Sequence, residues 1–432
     1  MAGSARVAQR DVPRRRTFQA FENRGFARLW LANCLLYSAR WMQLTLLGWF
    51  VLELTDSPWL VALVGFFSSA PMLALGLVGG ILADVMHRQR LLLITQGTNC
   101  LCSLLLTLAL GTGVVQVWHI YLTILMSGAG WALDTPSRRS LVYDLLGLEG
   151  VTNAMALDSV GMNASRMVGP AVAGALIVLV GVSGGYAVIT GCYATALCLL
   201  WSLPVSQGPR PGPRQQSLGR NLAEGFRYVR RHRTILAIIY ITIAMNLLLF
   251  PYVQMMPVIA RDVLHVDAAL MGALQAAEGV GALMGAVLIA SAPNLQYHGR
   301  VFLGGSLLSL LALFVFSMSR WYLLSWPALL ILGLGSSGFG AMQSTLVLLL
   351  AREQMRGRAL GVLSLAIGAG PLGSLLIGAV ASTIHPVFAV RMHALLGIIA
   401  LAGILLLFPV IWDRTQVASG QVRRERSTSE GG

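Results

Sequence analysis

The chain alternates between long apolar stretches and short polar segments rich in arginine. Residues 91–133 and 167–209 each run without an Asp, Glu, Lys or Arg, and glycine clusters divide them at 111–113 and 181–185. Because about 20 apolar residues cross a bilayer, each stretch is predicted to form a helical hairpin. The whole pattern predicts twelve spans, at 29–53, 58–84, 91–111, 116–137, 152–181, 184–204, 234–260, 268–292, 301–319, 322–350, 357–383 and 390–412.

Two motifs recur at an offset close to half the chain length. They are Gly76xxxGly80, repeated as Gly281xxxGly285, and Gly169-Pro170, repeated as Gly370-Pro371. The repeats predict an all-α membrane protein made of two six-helix pseudo-repeats, with the substrate path at their interface. The predicted parts are a tail at 1–28, six-helix bundles at 29–204 and 234–412, a polar linker at 205–233 and a second tail at 413–432.

Charge placement predicts the orientation of these spans. The net charge of +14 comes with only 11% charged residues and a mean hydropathy of +0.72, which favours a membrane protein over a nucleic-acid binder. With both termini in the cytoplasm, most arginines fall in cytoplasmic segments, as the positive-inside rule requires. The exceptions are Arg40 and Arg166 within spans, and Arg261, Arg320 and Arg391 on the far side.

The sequence argues against several functional classes. The five cysteines lie in apolar stretches without metal-ligand spacing, so free thiols and no metal are expected. The basic N-terminus lacks an apolar stretch with a cleavage site and is interpreted as a retained cytoplasmic tail. A Walker A lysine is missing and the histidines are scattered, so neither an ATP-driven pump nor an enzyme is expected, and no cofactor.

Several sequence motifs resemble those of a known family, and together they cover about residues 20–412. GGILADVMHRQRLLL after the second span resembles the loop motif of the major facilitator superfamily. LDTPSRRSLVYDLLGLEGVTNAMALDSVGMNASRMVGPAVAG resembles its exporter branch, which includes enterobactin exporters and drug-efflux proteins. The chain departs from this branch at Arg40, where the branch often has Asp, and at His87.

The resemblance implies a cytoplasmic gate in which Asp84 latches the two halves through loop arginines and a helix N-terminus near RGRALGVL. Arg88 and Asp134 are candidate partners, although a purely structural pair, or a solvated loop charge at Asp84, is an alternative. The gate residues are Gly80, Asp84, Arg88, Asp134, Arg138 and Arg139.

Charged residues within the predicted spans are the candidates for proton coupling, because each costs at least about 2.5–3.5 kcal/mol at the bilayer centre unless it is paired or hydrated. They are Arg40, Asp158, Arg166 and Glu278. A static pair with an arginine is an equal alternative for Asp158. Glu278 has no basic residue in its own helix and is the stronger protonation candidate.

The kink and cavity residues complete the predicted site. By resemblance, Gly169-Pro170 is an antiporter element of the fifth span, repeated at Gly370-Pro371, although a tolerated membrane proline is an alternative. Aromatic, Met and amide side chains suit a bulky amphipathic substrate, although aromatics near span ends also form interfacial belts. The cavity candidates are Trp41, Gln43, Trp131, Asn246, Phe250, Tyr252, Gln254, Met255 and Gln343.

These observations predict a monomeric secondary transporter in a bacterial inner membrane. The expected activity is proton-driven export of a bulky amphipathic small molecule, such as a siderophore, drug or secondary metabolite. The partners are that substrate, protons and the lipid bilayer, with no nucleic acid. Uptake by symport is the alternative, followed by a channel or non-transporting scaffold of the same fold.

Overall fold

Twelve long helices form the described part of the protein. The computed structural model describes residues 18–203, 218–291 and 297–409, and these ranges contain no strand. A further amphipathic helix, Leu218–Arg231, is called the linker helix. The long helices are α1 (Arg24–Thr55), α2 (Pro58–Val85), α3 (Arg88–Thr112), α4 (117–146), α5 (148–180), α6 (182–201), α7 (Arg233–Asp262), α8 (Ala268–Ser291), α9 (His298–Met318), α10 (Tyr322–Leu350), α11 (356–383) and α12 (Pro386–Leu407).

The twelve-span, all-α prediction is confirmed. Nine segments in the described ranges are long and apolar enough to cross a membrane, and one of them, Gly150–Trp201, holds two spans because it reverses at Gly181. Helices α1 and α4 complete the twelve spans. They carry more charged and polar side chains than the other ten. The predicted tail at 413–432 lies outside the described residues.

Two helices extend beyond the predicted spans. α1 begins at Arg24, inside the predicted tail, because the Asn23 side chain caps it by accepting from the amides of Gly25 and Phe26. α4 continues to residue 146 instead of ending at 137. Its added turns bury Leu141 and Val142 against α1, so tertiary packing extends the helix.

Single glycines turn the chain between α4, α5 and α6. The helical segment Val117–Trp201 leaves helical backbone angles at Gly147 (φ 64°) and Gly181 (φ 72°). A left-handed backbone costs an L-residue about 1–2 kcal/mol, and glycine avoids that strain. The chain therefore reverses twice without a loop.

Helices α11 and α7 are irregular near their centres. α11 consists of Arg356–Ile367 and Gly370–Thr383, separated at Gly368 and Ala369. α7 contains a π-helical turn at Met245–Leu249, just before Pro251. Proline lacks a backbone donor, and the wider turn accommodates this within one continuous span.

The helices define two faces of the molecule. We call the face with Arg24, Leu407 and the linker helix the terminal face, and the other the opposite face. Each half has its own buried apolar core, and Trp49 of α1 packs with Ala268 and Met271 of α8 in a small shared cluster. The two halves therefore share apolar packing near the opposite face.

Close backbone contact characterises α8 and α10. A Cβ added to Gly281 would collide with the Leu330 carbonyl oxygen, and one added to Gly333 with the Glu278 carbonyl oxygen. In the first half of the repeat, a Cβ on Gly76 would meet only Met72 of its own helix. The first glycine of the repeated motif, Gly76 or Gly281, thus packs differently in the two halves.

We expect Gly281→Ala to lower the free energy of unfolding by about 1–3 kcal/mol, because the added methyl overpacks the α8–α10 contact. SDS titration of the purified protein in mixed micelles measures this. Gly304→Ala on α9 is the matched control, since nothing lies within 4 Å of its added Cβ. Equal losses in the two variants would contradict the packing argument.

Candidate functional site

The two halves meet most closely where α5 lies against α8. A Cβ on Gly279 would lie 2.6 Å from the Met167 Cα. Added Cβ atoms on Gly272 and Gly174 would collide with the carbonyl oxygens of Pro170 and Ala268. Small residues on both helices thus bring the backbones into direct contact.

A second contact joins α2 to α7 and α11. Gly378 of α11 touches Ala62, and a Cβ on Gly368 would lie 2.8 Å from the Leu73 Cδ1 atom. The Gln254 side chain of α7 covers Gly65 of α2. The predicted interface between the halves is therefore built from α2, α5, α7, α8 and α11, with α1 contributing beside them.

An ion pair spans this interface near the middle of the helices. Arg166 of α5 donates from Nη2 to Glu278 Oε1 of α8, and their side chains are 24% and 7% exposed. The Trp41 ring lies 5.4 Å from the Arg166 guanidinium carbon, and the buried Tyr252 is a further neighbour of Glu278. Two predicted coupling residues are thus brought together, one from each half.

Polar contacts also close the opposite face. Arg261 of α7 pairs with Asp56 and donates to the Leu52 carbonyl oxygen at 3.4 Å. The Thr45 hydroxyl of α1 donates to Gln275 Oε1 of α8 at 2.7 Å. These contacts hold the two halves together between the central ion pair and the opposite face.

Toward the terminal face, the Arg166 side of α5 becomes exposed. Met162 and Ser159, four and seven residues before Arg166, lie on the same helix face and are both exposed. The described contacts between the halves run from the central ion pair to the opposite face. We interpret this exposed side of α5 as one wall of a cleft between the halves that opens toward the terminal face.

A buried polar network lies inside the N-terminal half. Arg138 pairs with Asp134 at 3.1 Å and donates to Asn33 Oδ1, while Asn33 Nδ2 donates to Asp158 Oδ1 at 2.8 Å. The Tyr37 hydroxyl donates to Asp158 Oδ2 at 3.2 Å. No described arginine forms an ion pair with Asp158, so amide and hydroxyl groups take the place of the static pair considered above.

The carboxylate of Asp134 is the other end of this network. It accepts from the Thr95 hydroxyl and, at 2.5 Å, from Gln96 Nε2. Asp134 therefore joins α3 and α4, with three donors around a carboxylate that is 2% exposed. These hydrogen bonds stabilise one arrangement of the helices, while Gln96 Oε1 and Arg138 Nε are buried without a partner among the described residues.

Arg40 has no carboxylate partner in the described residues. Its guanidinium donates to Ser68 Oγ at 3.2 Å and to the Ser127 carbonyl oxygen at 3.4 Å, and it lies 4.9 Å from the Trp131 ring centre. Arg40 also shares a narrow internal space with Asp134. It thus sits within the N-terminal bundle, away from the ion pair between the halves.

The predicted gate is placed only in part. Gly80 and Asp84 lie on α2, and their side chains are outside the described part of the structure. Arg88 pairs with Asp144 at 2.6 Å, and Arg139 is exposed on the terminal face. Arg88 and Asp134 do not pair with each other, because each has a different partner.

The cavity candidates divide by burial. Gln43, Tyr252 and Met255 are buried, and Gln43 bonds to the hydroxyls of Tyr186 and Tyr193 on α6. Gln343 donates to the Thr242 hydroxyl at 3.1 Å within the C-terminal half. The Trp41 and Trp131 rings lie against the guanidinium groups of Arg166 and Arg40. Asn246 donates to the Thr242 carbonyl oxygen, and the Phe250 ring packs with Phe339. Gln254 lies against Gly65.

The two glycine–proline elements differ in local structure. Gly169 and Pro170 lie within α5, and a Cβ on Gly169 would be 2.7 Å from the Trp41 Cβ. Gly370 and Pro371 instead begin the second segment of α11, just after its break. The first element brings α5 against α1 and α8, whereas the second follows an irregularity in α11.

Residues that sequence reasoning missed include Asn33, Tyr37, Thr45 and Gln275. Asn33 and Tyr37 precede Arg40 on α1 by seven and three residues, which forms a polar stripe at helical spacing. That stripe was a usable signal. Thr45 and Gln275 carry no local signal, because their contact joins helices 230 positions apart.

Known transporters resemble this chain over most of its length. A family model described as transmembrane secretion effector matches residues 15–426. The staphyloferrin A transporter of Staphylococcus aureus is 24% identical over 375 residues, which cover 85% of this chain and 91% of that protein. The enterobactin exporter EntS of Shigella boydii is 28% identical over 329 residues, which cover 74% of this chain and 78% of that protein.

Solved structures show the same fold. A bacterial homologue of the human lysosomal transporter Spinster, inward-facing and unoccupied, aligns with a TM-score of 0.66 and 14% identity, covering 90% of this chain and 96% of that one. The nucleoside transporter NupG aligns with a TM-score of 0.71 and 14% identity, covering 90% and 100%. The major facilitator fold expected from the sequence is thereby confirmed.

We expect Asn33→Leu to lower the free energy of unfolding by about 2–4 kcal/mol, because it removes the link between the Arg138 guanidinium and Asp158. SDS titration in mixed micelles tests this. Asn163→Leu is the control, since that amide bonds only to the Ser159 carbonyl of its own helix, and its effect should stay within about 0.5 kcal/mol. A neutral Asn33→Leu would show that the network adds no stability.

Proposed function

Because the chain belongs to the transmembrane secretion effector family of major facilitator transporters, we propose that it exports a siderophore or a similarly bulky amphipathic molecule in exchange for protons. The family comprises transporters and not enzymes, and the chain is a multi-pass membrane protein. Two relatives are a staphyloferrin A transporter and an enterobactin exporter, which supports a siderophore as substrate.

The observation that carries proton coupling is the Arg166–Glu278 pair between the halves. A carboxylate and a guanidinium that face each other near the bilayer centre offset the cost of burying each charge. Protonation of Glu278 removes the attraction and leaves Arg166 with the Trp41 ring and solvent of the cleft. The charge state of one carboxylate therefore changes how strongly the two halves hold each other.

Alternating access follows from this dependence. The described contacts close the opposite face, while the cleft opens toward the terminal face. In the proposed cycle, substrate enters from the terminal face while the ion pair is intact. Protonation of Glu278 from the opposite face then accompanies return from the outward-open state, so that a proton moves inward for each substrate moved out.

The orientation proposed is a cytoplasmic terminal face in the bacterial inner membrane. Arginines cluster on that face, at Arg88, Arg139 and the start of α11, as the positive-inside rule requires. This orientation makes the described conformation open to the cytoplasm. Uptake by symport uses the same fold and ion pair, and the direction of substrate movement distinguishes it from export.

We expect Glu278→Gln to abolish gradient-driven transport while leaving the protein folded, because the amide cannot release a proton. Proteoliposomes with an imposed pH gradient, assayed with iron-free enterobactin by chromatography, measure the loss. Substrate exchange without a gradient should persist, since it needs no net proton movement. Wild-type rates in Glu278→Gln under the gradient would exclude this residue as the coupling group.

Two controls accompany that assay. Glu53→Gln removes a carboxylate that bonds to Trp49 Nε1 within α1, outside the Arg166 pair, and should transport normally. Ethidium replaces enterobactin in a parallel assay, which separates siderophore export from drug export. Gradient-driven accumulation in the opposite direction would favour the symport alternative.

The orientation itself is tested by cysteine labelling in intact cells. Val114→Cys lies at the α3–α4 turn of the opposite face and is expected to react with an impermeant maleimide. Arg139→Cys on the terminal face should react only after the membrane is permeabilised. The unmodified chain gives the background from its five native cysteines. The reverse labelling pattern would invert the proposed topology.

A further inference from the structure

Two arginines on the opposite face converge on one cavity of the C-terminal half. Arg261, Arg320 and Arg391 are the arginines at span ends on the opposite face, where the positive-inside rule disfavours arginine. Arg261 has partners in Asp56 and Asp262. Arg320 and Arg391 have no carboxylate partner in the described ranges, and both line a cavity of about 430 Å³.

The cavity walls come from three connections of one half. They are the turn after α7, the α9–α10 turn and the first turns of α12. The carboxylate in the lining belongs to Asp262, which already accepts from Arg261 Nε at 2.6 Å. The lining therefore contains two arginines and one carboxylate. That carboxylate is already paired with Arg261, which is not part of the lining.

The donors of this cavity are incompletely used. Arg391 Nη2 donates to the Ser317 carbonyl oxygen at 3.3 Å, while its Nε–H is buried without a hydrogen-bond partner. An unpaired buried donor destabilises a protein, and more so when it is charged. Arg320 is exposed and makes no hydrogen bond among the described residues. The Arg320 guanidinium is therefore available to an anion, and Arg391 lines the same cavity.

Two histidines and a helix end add further donors. His385 Nδ1 accepts from the Val387 amide at 3.2 Å, so its neutral ring carries the proton on Nε2 and can donate it. α12 begins beside it at Pro386, and a helix N-terminus favours negative charge. His265 lines the other wall.

Apolar side chains lie next to these donors. Met318 and Phe388 of the lining are 60% and 45% exposed. Trp321 and Leu323, in and just after the α9–α10 turn, are 77% and 86% exposed. A ligand whose charged head reaches Arg391 would have an apolar surface available for the rest of its body.

We propose that this cavity binds an amphipathic anion, with a phosphate or carboxylate head on Arg320 and Arg391 and an apolar body along Met318 and Phe388. The site lies in the C-terminal half alone, so it is separate from the cleft between the halves. The same chemistry is found in an anionic phospholipid of the adjoining leaflet and in a free amphipathic anion. Binding does not depend on the direction of transport.

Carbethoxylation of histidines by diethyl pyrocarbonate, read by peptide mass spectrometry, tests the site in the full chain. Phosphatidylcholine nanodiscs serve as the reference, with phosphatidylglycerol added in one arm and octyl phosphate in another. Octyl glucoside is the neutral amphiphile control. Labelling of His265 and His385 should fall about tenfold when the anion is at ~10 times its dissociation constant.

His119 is the internal control, because it lies on the opposite face in the N-terminal half and outside this cavity. Its labelling should not change. The double variant Arg320→Gln, Arg391→Gln should lose the protection at His265 and His385. Arg320→Gln alone should weaken it, and this exposed position leaves the fold intact even where the double variant fails to fold.

The outcomes separate cleanly. Protection by phosphatidylglycerol alone supports the site and identifies a lipid ligand, whereas protection by octyl phosphate alone supports it and identifies a soluble anion. Protection in both arms supports the shared chemistry. Absence of protection in both arms overturns the proposal. Equal protection by octyl glucoside, or protection that persists in Arg320→Gln at full strength, also overturns it.

Discussion

Direct contact between helix backbones holds the two halves together, because lipid removes the hydrophobic drive that joins helices in water. Between α5 and α8 this contact depends on Gly272 and Gly279, where any side chain would collide with the facing backbone. The positions of the ion pair, the cleft and the closed opposite face all depend on this close contact between α5 and α8. A pair such as Arg166 and Glu278 meets only because the backbones around it are already adjacent.

The central ion pair stabilises the interface in a conditional way. Each charge is costly near the bilayer centre, so the pair compensates for burial more than it adds net stability. Loss of one partner leaves the other charge exposed to that cost. In the proposed mechanism the interface has two states of different stability, set by the protonation of Glu278. The network of Asp134, Arg138, Asn33 and Asp158 is by contrast internal to one half, so its contacts do not cross the interface.

Apolar length and glycine punctuation were enough to predict the twelve spans, because lipid imposes a minimum helix length on any sequence. The hairpin break near 181 was visible for the same reason. The partner of Glu278 was not, since Arg166 lies 112 positions away and no local pattern links them. Asp158 shows the converse: an arginine was the obvious candidate partner, but folding presents it with an amide and a phenol. Pairing between helices depends on rotation and register, which composition does not record.

The glycine corners at Gly147 and Gly181 have a mechanical consequence. Because single glycines, and no loop, join α4, α5 and α6, the start of each helix is fixed to the end of the one before it. A displacement of α5 away from α8 therefore has no connecting loop to absorb it, and it acts on the helices that carry the Asp134 network and the tyrosines bonded to Gln43. We expect these three helices to move together.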